Sequence, residues 1–491
     1  MMRYFFTWTA LLVLIFIQSC SEKEEQKTYV SVVFDVEDYI SPVADSVDEI
    51  PKWLAETMTE VGVTGTFFVI GEKARSLEER GRQDVIEAMA AHDIGSHTNY
   101  GSIHPTVTEI LENAGWDHGV MAMLDNESAG FEELERIFGV PVSSLARHGG
   151  SYGPQLVYAL GQMGKGYVYS PISLPGKHIV WFCNTLNFYG DYGAFDDTYY
   201  RDDLFNPLFD SLKMNFKKDI EGLDMISFFA GHPTKIRAEQ FWDFNFYEGA
   251  NPVREELQPP VLRPAESMVT ARKNFKRLMQ FLKDQEGIEI VTIRELMDKY
   301  SSQPETIKMD DLVRIARLIK SSNHIVYDDD YSPAEVFSAL AQSIQEFRLS
   351  GKIPVKLQRV SPLGPMSMPL ETPGFTSVSM EQAIDLAVAA SDTIRNLGYL
   401  PSCLQTGEGC IGTGTLLHLF SGVFLDINRK KQQDTYELIP FDPYPKENSE
   451  QIISEVKSYK DWIVHRPDLD MSHLVEMTKM QLWTLKPAHE K

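Results

Sequence analysis

Two histidines and a group of acidic residues in the first half of the chain have the types that bind a catalytic metal ion. His97 and His104 lie in a polar segment broken by glycine, and Asp35, Glu37 and Asp38 end a strand-like apolar run earlier in the chain. Two imidazoles and a carboxylate suit a catalytic Zn²⁺ with one open coordination position. A second carboxylate beside them can act as a general base on water held at the metal. These residues therefore predict metal-assisted hydrolysis.

The elements that would position these residues alternate between strands and helices. Strand-like runs at 30–34, 66–70, 166–169, 225–230 and 288–292 are separated by helical patterns such as 50–61, 82–91, 127–138 and 267–285. This alternation predicts an α/β domain over residues 29–300, built on a parallel sheet or a (β/α) barrel. In such folds the functional residues follow the carboxyl ends of the strands, which is where Asp35 to Asp38 are expected to lie.

A second, mainly α-helical domain is predicted over residues 305–491, after a polar boundary at 301–306. It contains an internal repeat of 47 residues, over about 328–374 and 375–421. In each copy a serine (Ser332, Ser379) caps a helix and a glycine (Gly351, Gly398) ends it. The two copies are expected to pack on each other. The pattern is similar to pseudomurein-binding repeats, which implies binding of a cell-wall polymer. The alternative is a duplicated helical scaffold without a ligand.

The N-terminus carries a targeting signal. Arg3 precedes an apolar stretch from Phe5 to Ile17 that is too short to span a membrane and is typical of a signal peptide. Ile17-Gln-Ser-Cys20 resembles a bacterial lipoprotein box. The resemblance implies removal of residues 1–20 as a signal peptide with Cys20 lipidated, followed by a tether over 21–28. The expected localisation is the bacterial cell envelope, on an outer-membrane, periplasmic or surface-exposed face, with membrane attachment through the lipid anchor only. Ordinary signal cleavage is the alternative.

Composition limits the class of protein. The chain has 491 residues, of which 43% are hydrophobic and 24% charged, which indicates a globular protein with more than one domain. A net charge of -24 argues against nucleic-acid binding. Apart from Cys20, three cysteines remain, and an odd number cannot form a disulfide scaffold. Cys403 and Cys410 either form one bridge or stay free thiols.

Five motifs follow one another along residues 28–300. They are Phe34-Asp35-Val36-Glu37-Asp38, Thr66-Phe67-Phe68, the segment from His97 to His104-Pro105, Arg147-His148-Gly149-Gly150, and Gly231-His232-Pro233. This series resembles the polysaccharide deacetylases with a NodB-homology domain (carbohydrate esterase family 4), in the divergent branch whose first motif reads Asp-Val-Asp or Asp-Val-Glu. The resemblance implies a distorted (β/α) barrel. It also implies a metal-dependent deacetylase that hydrolyses N- or O-acetyl groups of a cell-envelope or extracellular glycan.

The same resemblance implies the catalytic residues. Asp35 would be the general base, and Arg147 would hold its carboxylate in place and lower its pKa through charge proximity. His232 would donate a proton to the departing amine, which requires a protonated imidazole near the working pH. These roles agree with amide hydrolysis, which needs an activated nucleophile and an acid for a poor leaving group.

The metal ligands implied by the resemblance are Asp38, His97 and His104. Glu37 is the alternative acidic ligand, because Asp35 and Glu37 lie on one face of an extended strand. Zn²⁺ is the expected metal, with Co²⁺ or Ni²⁺ as alternatives.

Aromatic and acidic residues near the same predicted rim are candidates for glycan contacts. Tyr152, Asp191 and Trp242 are expected to bind the substrate, since sugar rings stack on aromatic side chains and their hydroxyls bind carboxylates. The alternative is that the aromatic residues belong to the core. His148 is expected to lie at the surface or outside the ligand set.

Two other functions stay open. The chain could be a non-catalytic glycan-binding lipoprotein with a degenerate deacetylase domain, because its first motif is split and His97 and His104 lie seven residues apart where the family has four. It could also hydrolyse a small non-sugar amide, as relatives in the divergent branch do.

Overall fold

The computed structural model describes residues 27–193, 195–322, 324–370, 376–407, 409–431 and 433–491. The predicted signal peptide (1–20), with Cys20, and nearly all of the predicted tether (21–28) lie outside these ranges. No helix within them is long and apolar enough to cross a membrane.

A ten-stranded mixed sheet forms the centre of the larger part of the molecule. Nine of its strands are β1 (Thr28–Val36), β2 (Gly65–Val69), β3 (Asp93–Ser96), β4 (Ser144–Ala146), β5 (Gly166–Ser170), β6 (Ile179–Phe182), β7 (Thr185–Tyr189), β8 (Met225–Gly231) and β9 (Ile288–Ile290). All except β6 pair in parallel, and β6 is antiparallel to β7. All nine residues of β1 are buried, as expected for a central strand covered on both faces.

The sheet curls until its two ends meet. Tyr192, just past β7, donates its backbone N–H to Ser227 O at 2.7 Å, and its carbonyl accepts from Phe229 N at 2.8 Å. Both partners lie in β8, so the order runs from β8 through β1, β2, β3, β4, β5 and β7 back to β8. The prediction of an α/β fold on a curled, mostly parallel sheet is confirmed in outline.

Helices cover the outside of the curled sheet. They are α1 (Glu49–Val61), α2 (Gly71–Glu79), α3 (Gln83–Ala90), α4 (Val107–Leu111), α5 (Trp116–Phe138), α6 (Pro154–Gln162), α7 (Asp202–Asp219), α8 (Ser267–Lys283) and α9 (Ile293–Tyr300). Their apolar faces complete the core. Phe275 of α8 meets Trp53 of α1 at 6.0 Å and Phe34 of β1 at 5.8 Å between ring centroids. Because the parallel strands share one direction, the residues after β1, β3, β4 and β8 meet at one edge.

Residues 306–438 form a helical lobe with a core of its own. Its elements are β10 (Thr306–Lys308), α10 (Met309–Ser322), α11 (Pro333–Ser350), β11 (Lys356–Gln358), β12 (Ser377–Ser379), α12 (Met380–Leu397), β13 (Cys403–Thr406), β14 (Gly409–Gly412), α13 (Thr413–Asn428) and β15 (Thr435–Glu437). They fold as two β-α-α-β units, in which β10 pairs with β11 and β12 pairs with β15. A disulfide between Cys403 and Cys410 joins the two strands of the β13–β14 hairpin.

The two units correct the register of the predicted repeat. Helices α11 and α12 do begin at capping-box serines, Ser332 and Ser379, and end at left-handed glycines, Gly351 and Gly398. However, α11 is the second helix of its unit and α12 is the first helix of the next. The 47-residue spacing therefore relates helices that occupy different places. Cap signals mark where a helix begins and ends, and they carry no information about its place in a unit.

The last part of the chain, residues 449–491, returns to the curled sheet and is named the return segment. Its helices α14 (Ser449–Ser458) and α15 (Ser472–Gln481) bury apolar residues such as Ile452 and Leu474 in the core of the sheet. Its strand β16 (Lys486–Pro487) is the tenth strand and pairs antiparallel with β6. The prediction of one helical domain over 305–491 is corrected by this segment. Amphipathic helices carry the same pattern whichever core buries them.

A buried ion pair joins the return segment to the helical lobe and predicts a large effect on stability. Lys486 Nζ lies 2.8 Å from Glu335 Oε2, and the two side chains are 4% and 2% exposed. Replacing Lys486 by methionine leaves the Glu335 carboxylate without its main partner. We expect the free energy of unfolding to fall by about 3 to 5 kcal/mol in urea denaturation.

An exposed pair at the same edge is the control. Lys299 lies 3.2 Å from Glu490, with 32% and 47% exposure, so Lys299→Ala is expected to cost less than about 1 kcal/mol. If Lys486→Met lowers the free energy of unfolding by no more than Lys299→Ala does, the buried pair contributes no more to stability than the more exposed pair.

Candidate active site

Five ionisable side chains meet at the carboxyl edge of the curled sheet. Asp35 lies near the end of β1 and Glu37 directly after it, whereas His97 follows β3, His148 follows β4 and His232 follows β8. His232 has a side-chain exposure of 19%, whereas the other four have between 1% and 7%. The cluster is therefore buried and opens towards solvent on the His232 side.

Three of these side chains are placed to hold a metal ion. Glu37 Oε1 lies 2.9 Å from His97 Nε2 and 3.5 Å from His148 Nδ1. The three candidate ligand atoms all lie within 4.8 Å of one another. Ligands about 2.0 to 2.1 Å from a tetrahedral Zn²⁺ are about 3.3 Å apart, so the spacing fits an ion with three protein ligands.

The hydrogen bonds behind the two histidines support this assignment. His97 Nδ1 lies 3.2 Å from Ala146 O, a backbone acceptor that can hold the ring proton when Nε2 binds a metal ion. His148 Nε2 lies 3.0 Å from Ser102 Oγ, while the buried Nδ1 has no hydrogen-bond partner in the described ranges. Burial lowers the pKa of His148 and favours the neutral imidazole that binds metals. Such outer partners are usual for metal-binding histidines, and a bound cation would satisfy the orphaned nitrogen.

Glu37 is held as an anion with one oxygen free for the cluster. Trp242 Nε1 donates to Glu37 Oε2 at 2.6 Å, which leaves Oε1 facing the imidazoles. Burial raises the pKa of Glu37, but in the acid range where a glutamate titrates, the positive charges of His148 and His232 and the hydrogen bonds from His148 and His97 outweigh burial and hold that pKa well below its ordinary value. An ionised carboxylate is the form that a metal ion requires.

His232 is held as a cation. Its Nδ1 donates to Asp196 Oδ2 at 2.9 Å, and Lys235 Nζ lies 2.8 Å from the same oxygen. Burial lowers the pKa of His232, but the carboxylates of Asp196, Glu37 and Asp35 outweigh it and raise that pKa to about 10. Its Nε2 therefore carries a proton 3.6 Å from Glu37 Oε1 and 3.8 Å from Asp35 Oδ2. Asp35, Glu37 and His232 form a second group whose ligand atoms lie close enough together to hold a metal ion.

Asp35 is the acidic residue of the cluster outside the three-ligand set. Its Oδ2 lies 3.6 Å from His97 Nε2, and its Oδ1 accepts from Tyr169 OH at 3.1 Å. Burial raises the pKa of Asp35 to about 6, against the opposing effects of His97 and His232. At neutral pH the carboxylate is therefore mainly ionised, as a general base must be.

Asp38 does not join the cluster, which corrects its prediction as the acidic ligand. Its Oδ1 accepts from Ile40 N and Ser41 N, both at 2.9 Å, and its Oδ2 accepts from Ser41 Oγ at 2.7 Å and Thr234 Oγ1 at 2.9 Å. Asp38 thus closes the turn after β1 and ties it to the segment after β8. Strand β1 ends at Val36, and the next residue, Glu37, still turns its side chain to His97, on the side that Asp35 faces.

His104 also lies outside the described metal-binding groups, which corrects its prediction as a ligand. Its Nδ1 lies 2.7 Å from Glu109 Oε2, and its Nε2 donates to Phe246 O at 3.2 Å. Glu109 belongs to the capping box of α4, so the contact with His104 stabilises the N-terminus of that helix. Two left-handed residues, Thr98 and Gly101, turn the loop between His97 and His104.

Arg147 holds Tyr169 instead of the Asp35 carboxylate, which corrects its predicted role. Its Nε donates to Tyr169 O at 3.0 Å, and a second nitrogen donates to Gly149 O. The guanidinium lies over the Tyr459 ring, 4.2 Å from the centroid. Because Tyr459 belongs to the return segment, this contact could not be foreseen from the motif.

Two of the three residues predicted to bind substrate are buried in other roles. Tyr152 has no exposed surface, and its OH bonds with Thr478 Oγ1 at 3.1 Å. Trp242 is also fully buried, and its Nε1–H donates a hydrogen bond to Glu37. Both aromatic residues therefore follow the alternative in which they belong to the interior. Asp191 is exposed on the loop after β7 and stays a prediction for substrate binding.

The position of His148 relative to β4 is a sequence signal for a place in the site. His148 comes two residues after the end of β4, at the edge where a parallel sheet gathers its functional residues. Gly149 follows it at φ +49°, and a Cβ on Gly149 would lie 2.1 Å from the Trp462 ring. Asp196 and Tyr169 had no comparable signal, because their roles depend on how distant segments pack.

Glu127 of α5 supports the loop after His97 and predicts a pH-dependent stability. It is fully buried, and its Oε2 accepts from Asn99 N at 3.0 Å. Burial raises the pKa of Glu127 from 4.5 to about 7. The protonated form thus stabilises the fold below pH 4.5, and this contribution is lost as the pH rises through about 7. A difference of about 2.5 pKa units corresponds to about 3 kcal/mol.

Glu127→Gln removes this titration. Urea denaturation is expected to find the variant more stable than wild type at pH 8, with the advantage gone at pH 4. A variant less stable than wild type by the same amount at both values would contradict the account.

Comparisons with known proteins find likeness in solved structures only. No protein-family model matches the chain, and no curated protein matches its sequence. A Mycobacterium smegmatis protein assigned as a polysaccharide deacetylase is 15% identical, with a TM-score of 0.36, over 57% of this chain and 91% of its own. The allantoinase Puue is 12% identical, with a TM-score of 0.36, over 56% and 91%. A family CE4 pseudoenzyme from Bacillus anthracis is 14% identical, with a TM-score of 0.31, over 56% and 66%. Likeness of this degree decides nothing about activity.

Proposed function

We propose that this chain is a metal-dependent hydrolase that removes N- or O-acetyl groups from a cell-envelope or extracellular glycan. One observation carries the proposal. An ionised carboxylate, Asp35, and a cationic imidazole, His232, flank the three-residue set of Glu37, His97 and His148 in one buried cluster. A domain that only binds a glycan has no use for a paired base and acid, so the pair supports an enzyme.

Asp35 acts as the general base in this proposal. Glu37, His97 and His148 would hold a divalent metal ion, which would supply Lewis acidity for the acyl carbonyl and for the attacking water. Asp35 Oδ2 accepts the proton that the water loses as it attacks the carbonyl carbon. The hydrogen bond from Tyr169 to Oδ1 leaves Oδ2 for this proton.

His232 acts as the general acid. Its Nε2–H faces the cluster and donates the proton that the departing nitrogen or oxygen needs. Asp196 fixes the ring through Nδ1 and stabilises the cationic form. An amide nitrogen is a poor leaving group unless it is protonated, so a histidine held as a cation suits amide as well as ester hydrolysis.

The cellular setting is part of the proposal. We place the chain in the bacterial cell envelope, attached to the membrane through lipid on Cys20 only, with the helical lobe binding a cell-wall polymer and no nucleic-acid partner. The disulfide between Cys403 and Cys410 supports an oxidising compartment. A Cys20→Ser variant that stays in the membrane fraction would contradict the anchor, and a helical lobe that no cell-wall polymer retains would contradict the polymer site.

Acetate release with metal analysis tests the proposed activity. Purified full-length protein is loaded with Zn²⁺, Co²⁺ or Ni²⁺ and assayed on an N-acetylglucosamine oligomer, acetylated xylan and acetanilide. We expect about one metal ion per chain and acetate release from at least one acetylated glycan. Release from acetanilide alone would favour a small non-sugar amide, and absence of both metal binding and release would refute the hydrolase.

A further inference from the structure

Tyr169 has a backbone conformation that tyrosine rarely adopts. Its φ is +57°, in the left-handed region that bulky residues avoid. The pairing of β5 with β7 shifts register between Val168 and Ser170, at the same place. Strain of this kind costs about 1 to 3 kcal/mol, persists where the surrounding structure imposes it, and clusters at functional sites.

The side chain of this strained residue reaches the proposed base. Its OH donates to Asp35 Oδ1 at 3.1 Å. The ring is buried between Phe68 and Phe229, which meet it edge-on at 5.8 and 6.1 Å between centroids. Aromatic packing therefore fixes the ring, and the hydroxyl fixes one of the two carboxylate oxygens.

Arg147 holds the backbone of the same residue. Its Nε donates to Tyr169 O at 3.0 Å, while Tyr459 of the return segment lies against its guanidinium. The contacts form a series from Tyr459 through Arg147 and Tyr169 to Asp35. The motif resemblance predicts direct contact between Arg147 and the Asp35 carboxylate. In the structure Arg147 contacts Tyr169, and Tyr169 contacts Asp35.

We propose that Tyr169 is a positioning residue for the general base, which fixes Asp35 Oδ1 so that Oδ2 faces the reacting water. Arg147 assists by clamping the Tyr169 carbonyl in its left-handed conformation. The inference rests on the proposed hydrolase function. The Tyr169 hydroxyl donates to Asp35 and the Tyr169 carbonyl accepts from Arg147, and among the described residues the Tyr169 side chain makes no hydrogen bond to the three metal-binding candidates. Its effect should therefore be separable from metal binding.

The substitution Tyr169→Phe removes only the hydroxyl. In purified full-length protein we expect kcat for acetate release to fall about 10- to 100-fold, with KM and metal content close to wild type. Tyr167→Phe is the matched control. Tyr167 lies on the same strand, is fully buried, and donates its OH to Ser151 O at 3.2 Å, away from Asp35. This control is expected to keep kcat near wild type.

Cobalt spectroscopy gives a readout that does not depend on turnover. With Co²⁺ bound, release of the Asp35 carboxylate in Tyr169→Phe lets it move towards the ion, so the visible absorption bands are expected to shift. The Tyr167→Phe control should keep the wild-type spectrum. Arg147→Gln, which frees the Tyr169 carbonyl and keeps the hydroxyl, is a second variant expected to lower kcat in case Tyr169→Phe folds poorly.

The outcomes separate this inference from the proposed function. A Tyr169→Phe protein that matches Tyr167→Phe in kcat and in Co²⁺ spectrum overturns the positioning role. If the wild-type protein releases no acetate but the Co²⁺ spectrum shifts in Tyr169→Phe alone, the proposed acetylated substrate is refuted and the positioning role of Tyr169 is supported. A wild type that binds no Co²⁺ overturns both.

Discussion

Replacing His148 by alanine is expected to weaken Zn²⁺ binding by more than about 100-fold in a competition titration with a chelator. Loss of an outer hydrogen-bond partner of a metal ligand already costs about 10- to 100-fold, and loss of one of three ligands costs more. The buried Nδ1 of His148 lies 3.5 Å from Glu37 Oε1 and has no hydrogen-bond partner in the described ranges. Its removal leaves Glu37 and His97 as a two-residue set.

The control for this prediction is His104→Ala. The family resemblance makes His104 the second histidine ligand, whereas the structure engages it with Glu109 and Phe246 O. We expect His104→Ala to retain wild-type Zn²⁺ affinity and to lose some thermal stability, because the start of α4 loses a partner. The opposite result, with tight Zn²⁺ binding in His148→Ala and weak binding in His104→Ala, would restore the ligand set expected from the motif.

The fold was predictable where local pattern and sheet geometry agree. Buried apolar runs such as β1, alternating with amphipathic helices, are sufficient to predict a mostly parallel α/β sheet. The place of the return segment was not predictable in this way. The residues of β16 pair with β6 across some three hundred residues, and no periodicity in either strand indicates the other. The same limit applies to α14 and α15, whose apolar faces would suit either core.

The site was predictable to the level of the strand ends. Asp35, His97 and His232 could be named because each follows or ends a strand in an ordered series of motifs. The choice between neighbouring residues depended on one backbone detail. The Glu37 side chain faces the cluster, and the next residue, Asp38, closes the turn instead. The choice between His104 and His148 depended on how the loop with Thr98 and Gly101 turns, which spacing alone does not determine.

Asp35 and Asp38 therefore differ in role, and their asparagine variants are expected to lose different properties. Asp35→Asn should lose activity, and Asp38→Asn should lose stability. Asp35→Asn removes the general base, so kcat should fall about 100- to 10,000-fold. Its metal content should stay at the wild-type level, because Asp35 lies outside the three-ligand set. Burial raises the pKa of Asp35, which means that the ionised form is disfavoured in the folded protein. Asp35→Asn is thus expected to unfold at the same temperature as wild type or higher.

Asp38→Asn is expected to lose stability and keep the chemistry. Its Oδ2 accepts from Ser41 Oγ and Thr234 Oγ1, and an amide nitrogen in that place cannot accept either bond. Loss of hydrogen bonds to a buried carboxylate costs about 1.5 to 3 kcal/mol each, so the unfolding free energy should fall by several kcal/mol. Acetate release per folded molecule, with bound metal measured on the same sample, decides between the two aspartates. A stable Asp38→Asn protein without metal, beside an active Asp35→Asn protein, would reverse both assignments.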